Sequence, residues 1–303
     1  MQIVKSSTVT WVDVVSPTHK DVHKLMHDFN IHPLAATQLK NPTFQPTVEH
    51  YDQFIYIALH FPMFNHNKGV SEVVEIDFII TPTLVLTNRY TQVDALDSLL
   101  KKCSFVPNKN TSDCLDRGPF FLFYSIVNEM FRFSSKELDT IHEDIGDIEE
   151  GIFDGKEKEM VPRISHVRRD IINFLGALKP QRMVLETLLS SDQYVDRHTR
   201  PYIGSLLQQY DRLLHLIDTK REMIEALQQT NESLLNVKIN EVMKTLTIMA
   251  FVTFPLMLFS SLFSMNTKTL PIIGTPGDFW IIIGIMVVAM LAFFSYFKAK
   301  RWL

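Results

Sequence analysis

The sequence predicts an α+β membrane protein, with an N-terminal α/β domain, a long stalk helix and two C-terminal transmembrane helices. Three observations predict it. Strand and helix signals alternate over residues 1–118 and then give way to helical periodicity alone. No glycine or proline occurs between Gly204 and Pro255. Two uncharged apolar runs, Thr245–Thr267 and Phe279–Phe297, lie near the C-terminal end. Composition bounds the rest. The 30 Lys and Arg against 34 Asp and Glu leave a net charge of -4, which argues against a general nucleic-acid binder. A hydrophobic fraction of 46% excludes a disordered tail. Two cysteines, Cys103 and Cys114, exclude a disulfide scaffold and fit a reducing compartment.

In the first domain, Trp11–Val15 reads as a short strand. Ser16-Pro17-Thr18 opens a helix on which Val22, Leu25, Met26 and Phe29 recur at helical spacing. Phe54–Phe61 reads as a buried strand. A turn at His66-Asn67-Lys68-Gly69 leads into Val73–Ile80, and Thr81-Pro82-Thr83 turns into Leu84–Thr87. The sheet is expected to be mainly antiparallel or mixed.

Residues 119–200 read as a helical hairpin. Leu138, Ile141, Ile145, Ile148 and Ile152 form one apolar stripe, and Gly155 ends that helix. A second helix is expected from about Lys156 to Ser190. The stalk, 201–244, carries Leu206, Tyr210, Leu213, Ile217, Ile224, Leu227 and Leu234 at 4-3 spacing, with Lys220 and Asn231 interrupting. Continued through the first span, it would hold about 60 residues and reach roughly 90 Å. The alternative is a break near Asn231–Asn240.

The two uncharged runs, of about 23 and 19 residues, suit a hydrocarbon core of roughly 30 Å. The spans are assigned to 245–265 and 279–297, with a loop at 266–278 too short for anything but an antiparallel hairpin. Lys298, Lys300 and Arg301 in the tail 298–303 outweigh the single Lys268 of the loop, so both termini are expected in the cytoplasm. The start of the chain has no apolar stretch of signal type. The first span carries Thr245, Thr247, Thr253, Ser260, Ser261 and Ser264, with Pro255 inside it. Those hydroxyls either bond their own helix or mark a face toward protein or water, with the second span toward lipid. Pro255 removes one backbone bond and should bend or loosen the helix. Asn266, taken alone, reads as a helix C-cap.

Several stretches of the chain taken in order point further. They are Trp11–Pro17, His32-Pro33-Leu34, Asn41-Pro42 to Glu49, Asn240–Ile248, Phe263-Ser264-Met265-Asn266, and the basic ending Tyr296–Leu303. In these, over nearly its full length, the chain resembles the CorA family of magnesium and divalent-cation channels, with Ser-Met-Asn in place of the Gly-Met-Asn signature. The resemblance implies a funnel-shaped homopentamer in the cell (inner) membrane, multi-pass, with five first spans around a pore. It implies a selectivity filter at Ser264, Met265 and Asn266, where Asn266 amides meet the hydrated ion. It places Asn240, Met243, Leu246, Ala250, Phe254, Met257 and Ser261 along the pore, with Met243 and Leu246 as a constriction that closes by dewetting, or else as helix packing. It implies transported Mg2+, no bound cofactor, and no partner beyond itself, the bilayer and divalent cations.

Two departures set this chain apart. Ser264 stands where the family has glycine, whose backbone freedom serine lacks, and Lys268 follows the signature. They keep Co2+, Ni2+ or Zn2+ open as cargo. A membrane-anchored metal sensor without conduction is the reading from another class. The resemblance also implies regulatory divalent sites between neighbouring cytoplasmic domains, whose carboxylates in this chain are left unassigned. His19, His23 and His27 at four-residue spacing fit a solvated face better than a Zn2+ site. The acidic run from Glu137 to Asp154 reads as the solvated side of its helix. No nucleophile motif, phosphate loop or dinucleotide fingerprint points to an enzyme.

Overall fold

The computed structural model describes residues 1–65, 70–104, 113–191, 195–265 and 277–300. The expected turn at His66–Gly69 lies outside them. The elements run β1 (Gln2–Lys5), β2 (Thr10–Val15), α1 (His19–Phe29), α2 (Pro33–Gln38), β3 (Thr47–His50), β4 (Ile55–Asn65), β5 (Val70–Ile80) and β6 (Leu84–Arg89). Helices follow: α3 (Asp94–Ser104), α4 (Asp113–Asp116), α5 (Pro119–Phe153), α6 (Glu157–Leu178), α7 (Gln181–Ser190), α8 (Arg200–Ser264) and α9 (Asp278–Ala299). The chain separates into two compact units, 1–228 and 229–303.

The sheet is mixed, in the order β1-β2-β6-β5-β4-β3. β2 and β6 are parallel, and the other pairs are antiparallel. Residues alternate between its faces, and both faces are covered. On one, Val12, Val14, Tyr56, Ala58, Ile79 and Leu86 pack with Val22 and Leu25 of α1 and Ala35 and Ala36 of α2. On the other, Phe78 meets Phe123 edge to face at 5.0 Å, and Phe61 meets Phe131 at 5.9 Å, seating α5 on the sheet.

Local chemistry sets the helix ends. Thr18 caps α1 in a capping box with Asp21, and Asn30 closes it in the left-handed region at φ 49°. The stripe Leu138, Ile141, Ile145, Ile148 and Ile152 is buried along α5, as its spacing predicts. The single helix expected over Lys156–Ser190 is instead two, α6 and α7. Pro180 lacks the N–H that would bond the Gly176 carbonyl, so the helix stops and restarts there. The stalk has no break: α8 is one helix of 65 residues through Asn231, Asn240 and Pro255. Its Leu206, Tyr210, Leu213, Ile217 and Ile224 are buried.

Candidate functional site

The second unit contains the apolar half of α8 and all of α9. Each helix is long and apolar enough to cross a membrane, and none of the residues in the most apolar window of either is buried. A soluble protein would not leave that surface to water. Phe279 and Trp280 at the start of α9 and Tyr296 near its end are exposed, with Trp280 at 74%. Rings at both ends of a helix of about 33 Å suit the two interfaces of a bilayer.

Apart from Thr247 and Ala250, the half-buried positions of the two spans trace one stripe on each helix. On α8 these are Ile248, Val252, Leu256, Phe259 and Phe263; on α9, Ile282, Met286, Ala289 and Phe293 lead to the buried Phe297. An apolar cavity lined by Phe251 of α8 and by Ala289, Phe293 and Phe297 of α9 lies between them. At about 100° per residue, Asn240, Met243, Leu246, Ala250, Phe254, Met257 and Ser261 occupy an arc centred roughly 170° from the α8 stripe. All are exposed except the half-buried Ala250. The predicted set therefore shares the helix face that α9 does not use. Ser264 ends α8 and Met265 follows it, both exposed, while Asn266 and Lys268 lie outside the described residues.

The span hydroxyls divide. Thr245, Thr247 and Thr253 donate to the carbonyls of Glu241, Met243 and Met249 at 3.0, 2.8 and 2.9 Å. These threonines are satisfied by their own helix and need no water. By the same helical phase, Thr247 and Ser264 share the arc with Ser261, Met257 and Phe254.

In the first unit, the acids of α5 are partly countered. Arg163 of α6 lies 3.7 Å from Asp144 and 3.1 Å from Asp147. Burial nevertheless pushes the Asp144 carboxyl above its ordinary value, against the pull of Arg163. His19, His23 and His27 are exposed on the outer side of α1. Among the described residues, no group of three or more His, Cys, Asp or Glu could hold a metal ion.

Two buried polar clusters escaped the sequence reading. Arg89 bonds Asp13 at 2.9 Å, the Val93 carbonyl at 3.3 Å, and Asp97. Burial pulls its guanidinium down, but the bond to Asp97 and the charge of Asp13 outweigh that and hold it above its usual value. On the opposite face of the sheet, Asp77 accepts from Tyr56, Asn88 and Tyr90, beside Glu75 and His60. The signal was present in β5, where Glu75-Ile76-Asp77-Phe78 alternates and sets both acids on one face of a sheet that is covered on both sides.

The family comparison places this arrangement. Residues 6–301 match the model described as CorA-like Mg2+ transporter protein. The chain belongs to the CorA family. CorA proteins are membrane transporters, not enzymes. The cobalt/magnesium transport protein CorA of Thermotoga maritima is 26% identical over 302 residues, which cover 98% of this chain and 84% of that one. Its namesake in Methanocaldococcus jannaschii is 26% identical over 296 residues, 97% of this chain and 91% of that one. The complete structure of the CorA magnesium transporter from Methanocaldococcus jannaschii superposes with a TM-score of 0.83 at 24% identity. That match covers 98% of this chain and 92% of that chain. This CorA chain thus shares the family's α/β unit, long helix and C-terminal helix.

Ser264 of this CorA chain shows no glycine-like geometry. The described non-glycine residues with positive φ are Ser16 and Asn30, so Ser264 keeps a right-handed conformation at the end of α8. The helix finishes there with a tighter turn, the Met265 N–H reaching the Leu262 carbonyl at 3.4 Å.

Proposed function

We propose that this CorA chain forms a passive channel for Mg2+, built from five copies of itself in the cell (inner) membrane. The free face of α8 carries the reading. It bears Asn240, Met243, Leu246, Phe254, Met257 and Ser261 opposite the stripe turned toward α9. Two helices cannot enclose a conduit, so that face needs the same face of other copies around an axis.

Mg2+ gives up its waters reluctantly. A filter of neutral amide and carbonyl oxygens therefore suits it better than a carboxylate cage. Asn266, with Ser264 and Met265 behind it, would supply that ring at the mouth. Met243 and Leu246 would close the pore by dewetting. The spans are 245–265 and 279–297. The basic residues after α9 set both termini in the cytoplasm. A potential of 100 mV, negative inside, drives a divalent ion inward by about 4.6 kcal/mol, at about 2.3 kcal/mol per charge. Co2+ is the second cargo favoured, since both CorA relatives described above are named for cobalt and magnesium.

The test is Mg2+ flux into liposomes holding the purified full chain, with and without Asn266→Ala. Wild-type flux above background, lost in the variant, supports the channel and its filter. Undiminished flux in the variant removes Asn266 from the filter. Background flux in the wild type favours the sensor reading.

A further inference from the structure

The buried acids of β5 have no part in the conduction path, and their arrangement calls for a proton. Glu75 and Asp77 lie two residues apart on one face of β5, at 5% and 0% exposure. Asp77 is fully engaged. Its Oδ1 accepts from Tyr56 Oη at 3.0 Å, and its Oδ2 accepts from Asn88 Nδ2 at 2.8 Å and Tyr90 Oη at 2.9 Å. Glu75 is not. Its Oε2 accepts from the Thr43 N–H at 2.7 Å and faces His60 Nε2 at 3.0 Å, but its Oε1 is buried without a donor.

The surroundings offer that oxygen little. Gln38 spends its amide on Glu49 at 2.6 Å, and Asn88 also reaches the Leu39 carbonyl at 3.2 Å. Gln181 of α7 gives its amide to the carbonyls of His60 and Ala177. The Oε1 of Gln38, the Oδ1 of Asn88 and the Oε1 of Gln181 are themselves buried acceptors without a donor. Among the described residues, no Lys or Arg side chain bonds either acid. Two adjacent carboxylates in such a setting would be a buried like-charge pair, which proteins resolve by keeping one neutral.

We propose that Glu75 and Asp77 share one proton, which Asp77 donates to Oε1 of Glu75, and that this proton latches the Gln38–Thr43 segment to the sheet. The latch has three further ties to the segment, Thr43 N–H on Glu75, Asn88 on the Leu39 carbonyl, and Tyr90 on the Gln38 carbonyl at 3.2 Å. All three partners touch the pair or its ligands. Burial, then the bond to Glu75 and its charge, hold the Asp77 carboxyl well above the usual carboxylate range, against Asn88 and Tyr90. The sign follows. A raised folded value means the folded state binds the extra proton, so stability falls as pH rises from the ordinary carboxylate range through that folded value. Losing the proton sets two charges side by side and loosens the segment.

Two measurements on the full chain in detergent test this. Infrared spectra of the wild type at pH 7 should show a buried protonated carboxyl band, absent in Asp77→Asn. No such band in the wild type overturns the proposal without recourse to any variant. Amide exchange of the peptide spanning residues 38–47, corrected for intrinsic rate, is then followed as pH rises. Wild-type protection should fall by up to about tenfold per pH unit from the ordinary carboxylate range up to the folded value of the pair, and level off above it. In Asp77→Asn, whose amide donates permanently, protection should stay flat. Wild-type protection that does not change with pH overturns the latch. So does an Asp77→Asn variant as open at pH 7 as Asp77→Ala.

Discussion

Arg89→Met should be among the most damaging single changes in the first unit. The Arg89 and Asp13 side chains are 1% and 0% exposed, and their ion pair is 2.9 Å long. Among the described residues, Asp13 has one further side-chain donor, the Thr87 hydroxyl at 2.7 Å, which itself accepts from Trp11 Nε1 at 3.0 Å. Deleting the guanidinium leaves the Asp13 carboxylate buried against a single neutral donor. Breaking a buried pair from one side costs about 3–5 kcal/mol. At about 2–4 °C per kcal/mol, the melting temperature should drop by roughly 6–20 °C. The assay is thermal unfolding of the full chain in detergent, read by tryptophan fluorescence, since Trp11 belongs to the network. The partner change supplies the control. Arg89→Met combined with Asp13→Leu removes both charges, and an apolar pair of similar volume is often neutral or stabilising. The double variant should therefore recover more than half of the loss. If instead the two losses add, the pair is uncoupled and the reasoning about buried charge fails here.

Two further outcomes are expected. Ser264→Gly, the change that restores the family's signature, should leave Mg2+ flux in liposomes unchanged within error, because Ser264 already sits in an ordinary helical conformation; a large gain would show that serine constrains the filter. Gly151→Val should destabilise the α5–α6 packing by about 1–3 kcal/mol, since a Cβ at Gly151 would lie 2.6 Å from Met160 Sδ; adding Met160→Ala should restore part of the loss, measured by denaturant titration.

Much of the fold was legible because its signals are local. The stripe of α5 and the seam of α8 come from the 3.6-residue period. The uncharged spans come from the bilayer's demand that no charge be left inside it. The opposition of the α8 arc and the α9-facing stripe is likewise a matter of helical phase. What escaped was non-local. The split at Pro180 is the exception, a local signal: the proline removes one backbone bond inside a stretch expected to be a single helix. The Arg89 network joins β2, β6 and α3, and the Glu75–Asp77 cluster joins β4, β5, β6, α2 and α7. No window of sequence contains either.

The two units solve opposite electrostatic problems, and that bears on how the chain should respond to substitution. In the first, charge is buried and met group by group: Arg89 by Asp13 and Asp97, and Oε2 of Glu75 by the Thr43 backbone N–H and His60. Removing one partner there strands another, so damage is expected as unfolding. In the second, the span of α8 carries hydroxyls already bonded within the helix and an exposed arc with no charge from Thr245 to Ser264. Changes on that arc strand nothing in the single chain, so their expected effect is on flux and not on folding. A variant such as Phe254→Ala that lowered the melting temperature as far as Arg89→Met would contradict that division, because Phe254 is 63% exposed in the protomer.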